Sequence, residues 1–432
     1  MRCAYACGSA DHGWSRRQFL TGLTASGTLG LFGGGFAGMI HPAAAKELAS
    51  AQKRVLLIWL NGGVSQLETW DPKPGTNTGG PFRAIPTSVP GIHISELLPH
   101  TARQMHHLAL VRSINTQENN HAKGAYIMHT GRREQPGMEY PHLGSVMAKL
   151  LTAPDNPLPG YIHITPRGDS GFGKQDAAFL GPRYASVTLA DGKPPANFSR
   201  PEALTDEADQ RRNQLRDRLS QRFAQRRRTA ETEAYSQSYE QAAQLIARKS
   251  IFDLSQESPR DLERYGTHDF GRHCLLARRL LEHGITFVKV SHTNYDTHYD
   301  NFDFHLEQLG EFDRTFATLV EDLHQRGLLS STLVLVMSEF GRTPTINRNY
   351  GRDHWGSAWS VALGGCGIQG GAVVGKTNAN GTAVVDRMVH GGHLFHTYFR
   401  ALGLNPHKNH YHNQQPIPMA DPTASAIEEV LA

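Results

Sequence analysis

The sequence predicts an α/β protein in which a mostly parallel sheet is sandwiched by helices and interrupted by a helical insertion. Three observations carry this expectation. Arg54–Leu60 (RVLLIWL), 285–291 (ITFVKVS) and Thr332–Met337 (TLVLVM) are continuous apolar runs without alternation. Strands covered on both faces read this way. Between the last two runs, 304–326 sets Leu306, Leu309, Phe312, Phe316, Leu319, Val320 and Leu323 on one helical face, with Gly327 in the terminating position. Strand, helix and strand in that order imply a crossover unit and hence a parallel sheet. Finally, the composition changes over 206–251, where Leu215, Leu219 and Phe223 recur every four residues among arginines. That stretch reads as one or two amphipathic helices packed against the sheet as an insertion or cap.

The remaining elements follow the same grammar. Residues 274–282 read as a helix stopped by Gly284, 360–363 as a further short strand, and 394–402 as a late helix stopped by Gly403. The segment ENNHAKGAYIMHTGR places His121 at a helix start. The run Arg226-Arg227-Arg228 is either an anion patch or the solvated face of a surface helix.

The chain of 432 residues, 39% hydrophobic and 19% charged, is ordinary for a globular protein and long enough for a large core. Its net charge of +4 gives no case for nucleic acid as the partner. Ser15-Arg16-Arg17-Gln18-Phe19-Leu20, the glycine-rich apolar run 20–40 and Ala43-Ala44-Ala45 make a twin-arginine export signal over 1–45, with a short anchor as the alternative. Cleavage there leaves no transmembrane anchor and a periplasmic or secreted protein. It removes Cys3 and Cys7, leaving Cys274 and Cys366 as one optional disulfide or two buried thiols. The expected organisation is the signal, a first part of the α/β domain over 46–205, the insertion over 206–251 and a second part over 252–432.

Ligands in open α/β sheets sit beyond the carboxyl ends of the strands. Each expected strand releases polar residues there: Asn61 after the first, His292, Asp296 and His298 in HTNYDTH after the second, Glu339 and Arg342 in SEFGRTP after the third. GRDHWG then presents Arg352, Asp353 and His354. Carboxylates and imidazoles arriving from separate loops suit one divalent cation, Zn, Mn or Ca, because each ligand must aim a lone pair from a fixed direction. Asp71 and Lys73 read as a turn in WDPKPG or as site residues, and His390 and His393 in HGGH as helix-entry residues or a second ligand pair.

The segments LNGGVSQLETWDPKPG, RYGTHDFGRHCLLARRLL, SEFGRTP, GRDHW and GGCGIQGGAVVG, in this order, resemble the exported bacterial family called domain of unknown function 1501. More distantly, the chain resembles the alkaline phosphatase–sulfatase superfamily. His121 falls where that superfamily carries its nucleophile, Ser338-Glu339-Phe340-Gly341 where it has Ser-Asp-His-Gly, and His354-Trp355-Gly356 where it has His-x-Gly. The distant resemblance implies an alkaline phosphatase-like fold and one intact metal position: Asp296, His298 and His354. It implies a second position altered to Asn61, His121, Glu339 and Phe340, and Phe340 cannot ligate. The expectation is an exported hydrolase of phosphate or sulfate esters, with metal-activated water or His121 as base or nucleophile. Arg342 and Arg352, with Asp353, would bind the anionic ester or glycan. The alternative is a non-catalytic exported protein that binds a glycan, polyanion or partner protein.

Overall fold

The computed structural model describes residues 52–153, 156–166, 176–194, 203–226, 239, 243–412 and 414–432. The expected signal over 1–45, with the twin arginines, lies outside the described residues, as do Arg227 and Arg228.

The elements that frame the site are β1 (Arg54–Leu60), β2 (Leu108–Ile114), α1 (His121–Thr130), α2 (Leu143–Leu151), β3 (Tyr161–Thr165), β4 (Val187–Ala190), α3 (Asp206–Arg226), α4 (Asp269–Glu282), β5 (Phe287–His292), α5 (Asn301–Gln325), β6 (Thr332–Met337), β7 (Trp359–Gly365), β8 (Val373–Val374) and α6 (Gly391–Ala401). Eight strands form one sheet in the order β8-β2-β7-β6-β1-β5-β3-β4. Every pairing in it is parallel except those of β7, which runs antiparallel to both β2 and β6. The expected mostly parallel sheet between helices is therefore the observed one.

β1 lies at the centre because all seven of its side chains are buried. Leu56, Ile58 and Leu60 join a core with α4 and α5 on one face, while Val55, Leu57 and Trp59 join a core with α1, α2 and α6 on the other. A fully buried side chain of this kind stabilises by about 1.5–3 kcal/mol, so the two faces together fix the strand's place. Register then decides where function can sit. Leu60 pairs with His292 and Trp59 with Met337, so β1, β5 and β6 end level with one another. The loops that leave them share one edge.

Several boundaries differ from expectation for identifiable reasons. α4 begins at Asp269 rather than at 274, because the His268 side chain accepts the Gly271 N–H and caps the earlier turn. α6 begins earlier as well, with His390 capping the Gly392 N–H and His393 closing a capping box. His390 and His393 thus serve helix entry. In α5 the expected apolar face is buried at Leu309, Phe312, Phe316, Leu319, Val320 and Leu323, but Leu306 is 57% exposed. Cys274 and Cys366 are two separate buried thiols. The largest departure is α3: the helix is present, yet Leu215, Leu219 and Phe223 are exposed rather than packed against the sheet.

Candidate metal centre

Two glycines let the polar loops close on one another. Gly62 has φ +114°, and a Cβ there would stand 2.4 Å from the Asp296 backbone nitrogen. Only glycine adopts that backbone without strain and clears that neighbour. Gly124, one turn into α1, would set a Cβ 2.8 Å from the Glu339 carbonyl oxygen. Its bare backbone allows the start of α1 to approach the end of β6, and Asn120 caps that start by accepting the Lys123 N–H at 3.2 Å. His121 is thereby delivered to Glu339.

Asp296, His298 and His354 meet. The Nε2 atoms of His298 and His354 are 3.0 Å apart, and each lies 3.1 Å from Asp296 Oδ1. Three ligand atoms at 2.0–2.1 Å around a tetrahedral ion stand about 3.3 Å apart, so this triangle is close to one face of such a shell. The outer ring nitrogens settle which atoms point inward. His298 Nδ1 is 2.7 Å from Asp353 Oδ1, and His354 Nδ1 is 2.7 Å from the Asn119 carbonyl. An ionised carboxylate and a carbonyl only accept, so both Nδ1 atoms carry hydrogen. Two Nε2 lone pairs and a carboxylate oxygen are left facing one another. The gap between them is of a size that a single proton or a metal ion would fit.

His121 stands beside this triangle. Its Nδ1 is 2.7 Å from Glu339 Oε1 and its Nε2 3.3 Å from Asp296 Oδ2, and His121, Asp296 and His354 also form a group able to hold an ion. Hydrogen bonds to Asp296 and then Glu339 outweigh burial and raise the imidazole to about 9. Burial pushes the Asp296 carboxyl up, but the neighbouring His121, His354 and Arg342 side chains together hold it well below the usual carboxylate range. Glu339 is fully buried; its Oε1 accepts the Gly62 N–H at 2.9 Å, and its Oε2 is buried with no hydrogen-bond partner. A buried orphan carboxylate oxygen beside three converging ligands fits a cation-binding centre. Phe340 packs its ring 4.5 Å from His354 and 4.9 Å from His121, filling an apolar wall. The centre faces solvent, with side-chain exposures of 47% at Asp296, 36% at His298 and 21% at His354.

The expected anion clamp is corrected. Arg352 is fully buried; its Nη2 is 2.8 Å and its Nε 3.1 Å from the two oxygens of buried Glu68, and it also donates to backbone carbonyls of Thr343, Pro344 and Thr78. All its donors are committed, so none can reach a ligand. Arg342 is also fully buried, donating to the carbonyls of Gly62, Gly63 and Arg352 and to Asp296 Oδ1. It positions Asp296 rather than binding an anion. Asp353, expected to bind substrate, orients His298 and also accepts from Asn347. Asn61 uses its backbone to join the β1 and β5 loops, donating to His292 and accepting from Tyr295. Asp71 pairs with Lys73 and accepts from Thr377, which makes the WDPKPG turn structural. Sequence reasoning missed Glu68 and Asn119. The first is an ordinary-looking acid 284 positions from its partner, and the second acts through its main chain.

A separate hollow lined by Met138, Phe179, Pro182 and His412 contributes none of these residues. Among the described residues, no helix is long and apolar enough to cross a membrane.

No curated protein matches the chain. Solved structures that resemble it include the lipoteichoic acid synthase LtaP from Listeria monocytogenes, 8% identical with a TM-score of 0.40, covering 86% of this chain and 76% of that one. A protein in the alkaline phosphatase superfamily from Vibrio parahaemolyticus is 10% identical with a TM-score of 0.37, covering 82% and 67%. The phosphonate monoester hydrolase of Agrobacterium radiobacter is 13% identical with a TM-score of 0.34, covering 83% and 75%. Likenesses of this size carry no argument about chemistry. A family model described as protein of unknown function (DUF1501) matches residues 52–431, and the chain belongs to that family.

Proposed function

We propose that this protein is an exported hydrolase of phosphate or sulfate esters that depends on one divalent cation, Zn or Mn foremost, held by Asp296, His298 and His354. The observation that supports this is the convergence of two Nε2 lone pairs and a carboxylate oxygen within 3.0–3.1 Å of one another at a solvent-facing strand end. An ion bound there would supply Lewis acidity, polarising an ester oxygen and making water more acidic.

The chain's own groups divide the remaining work. Asp353 and the Asn119 carbonyl fix the tautomers of the two ligand imidazoles. Arg342 fixes Asp296 by tying it to the β1 turn and to the Arg352 carbonyl. His121, held protonated between two carboxylates, is suited to give a proton to a leaving oxygen or to offset its charge. That role differs from the nucleophile that the superfamily position suggests, because both ring nitrogens are engaged.

Elemental analysis of the natively exported protein, followed by a panel of phosphate and sulfate esters, tests the proposal. The expected result is stoichiometric divalent metal and turnover, both lost on His354→Ala. Metal-free protein without turnover on any ester would sink it.

A further inference from the structure

α3 is amphipathic the wrong way round for a helix that belongs to a core. Leu215, Leu219 and Phe223, spaced i, i+4 and i+8, form one stripe and are 55%, 56% and 52% exposed. The partly covered residues are Asp209, Asn213, Arg216 and Ser220, about a quarter turn away, and Arg216 stacks its guanidinium 3.6 Å from the Tyr239 ring centre. The covered face is polar and the exposed face apolar. Arginines border the apolar stripe: Arg211, Arg218 and Arg222 lie along its other edge, all exposed, while Arg212, in line with it, pairs with Asp209 at 2.8 Å. Asp217 projects to the opposite side, and Glu207 lies one turn before Arg211 on the arginine edge.

We infer that α3 lies on a membrane surface bearing anionic headgroups, with Leu215, Leu219 and Phe223 in the acyl boundary and the arginines among the phosphates. Leucine and phenylalanine on one face edged by arginine is the arrangement of an interfacial helix, in which the long basic side chains reach outward to the headgroup level. The edge arginines attract an anionic surface and are attracted little by a neutral one. A second copy of this helix is the poorer occupant. A two-fold contact sets a patch against itself, and here it would press one row of arginines on another. The inference is independent of the metal centre.

The full chain is mixed with vesicles of phosphatidylglycerol and phosphatidylcholine, or of phosphatidylcholine alone, and sedimented. The expected result is binding to the anionic vesicles and at least about tenfold less to the neutral ones. The combined variant Leu215→Ser, Leu219→Ser, Phe223→Ser keeps the N-terminal apolar run and should lose about tenfold in binding with an unchanged melting temperature. Arg218→Gln with Arg222→Gln should weaken binding to anionic vesicles only. Three outcomes overturn the inference. These are no preference for anionic vesicles, undiminished binding by the serine variant, or a dimer in sedimentation velocity that the serine variant dissociates while vesicle binding stays the same.

Discussion

Two clusters of histidines, on the rim and in the interior, show how one side chain is put to opposite uses. On the rim, His121, His298 and His354 face Asp296, Glu339 and Asp353, and the carboxylates raise His121 to about 9. In the interior, His129, His142 and His163 gather round Lys289. The lysine Nζ lies 3.1 Å from His129 Nε2, and His129 stacks 4.2 Å from Trp59. Burial first and the lysine charge second lower all three, with His142 near 3 and His129 and His163 well below the ordinary value. The rim sets carboxylates against its imidazoles and so favours their charged form at His121. The interior sets a lysine among its imidazoles and keeps them neutral as packing groups. Counting histidines therefore says little; their partners decide what they do.

The comparison can be broken most forcefully at the rim. Replacing His354 with alanine removes one corner of the triangle and should abolish both metal content and ester turnover, as read by elemental analysis and activity, while Lys289→Met should leave metal content unchanged. A variant that retained stoichiometric metal would show that the rim cluster is not a centre. Next in size, Glu68→Gln leaves the Arg352 guanidinium buried without its counter-ion and should cost about 3–5 kcal/mol in denaturant unfolding. Asp353→Asn tests the outer partner of His298 and should weaken metal affinity about 10–100-fold, measured by competition with a chelator. The interior cluster gives the smallest effect. His142 is neutral in the folded chain down to about 3, whereas an unfolded imidazole takes its proton near 6.5. Its contribution is complete above that value and declines as pH falls through the interval between the two. Unfolding at about pH 4.5 should show roughly 3 kcal/mol lost through this group, and His142→Phe should lose correspondingly less between about pH 7.5 and that point.

The strands were legible because a strand buried on both faces must be apolar at every position, and RVLLIWL and TLVLVM have almost no other reading. The meeting of these polar residues was legible for a related reason. Once the strands are placed, Asp296, His298 and Glu339 lie just beyond their ends, and position does the rest. What escaped was burial of charge. Nothing local in GRDHW says that the Arg352 guanidinium turns inward, because its partner Glu68 lies at the far end of the chain. Leu215, Leu219 and Phe223 misled in the other direction: helical spacing reports that a face is apolar, not what covers it. Leu306 is the same error at one residue.

Arg342 joins the turn after β1, the loop after β5 and the segment leading to His354 through one planar group. On the proposed reading, the side chains that would hold the ion are already drawn together by these bonds, so capture would require little movement of the backbone. Uptake should then be paced by the water that an incoming ion must shed, and ions that shed it readily would load first. Exchange of one metal for another would follow the same order without the chain opening.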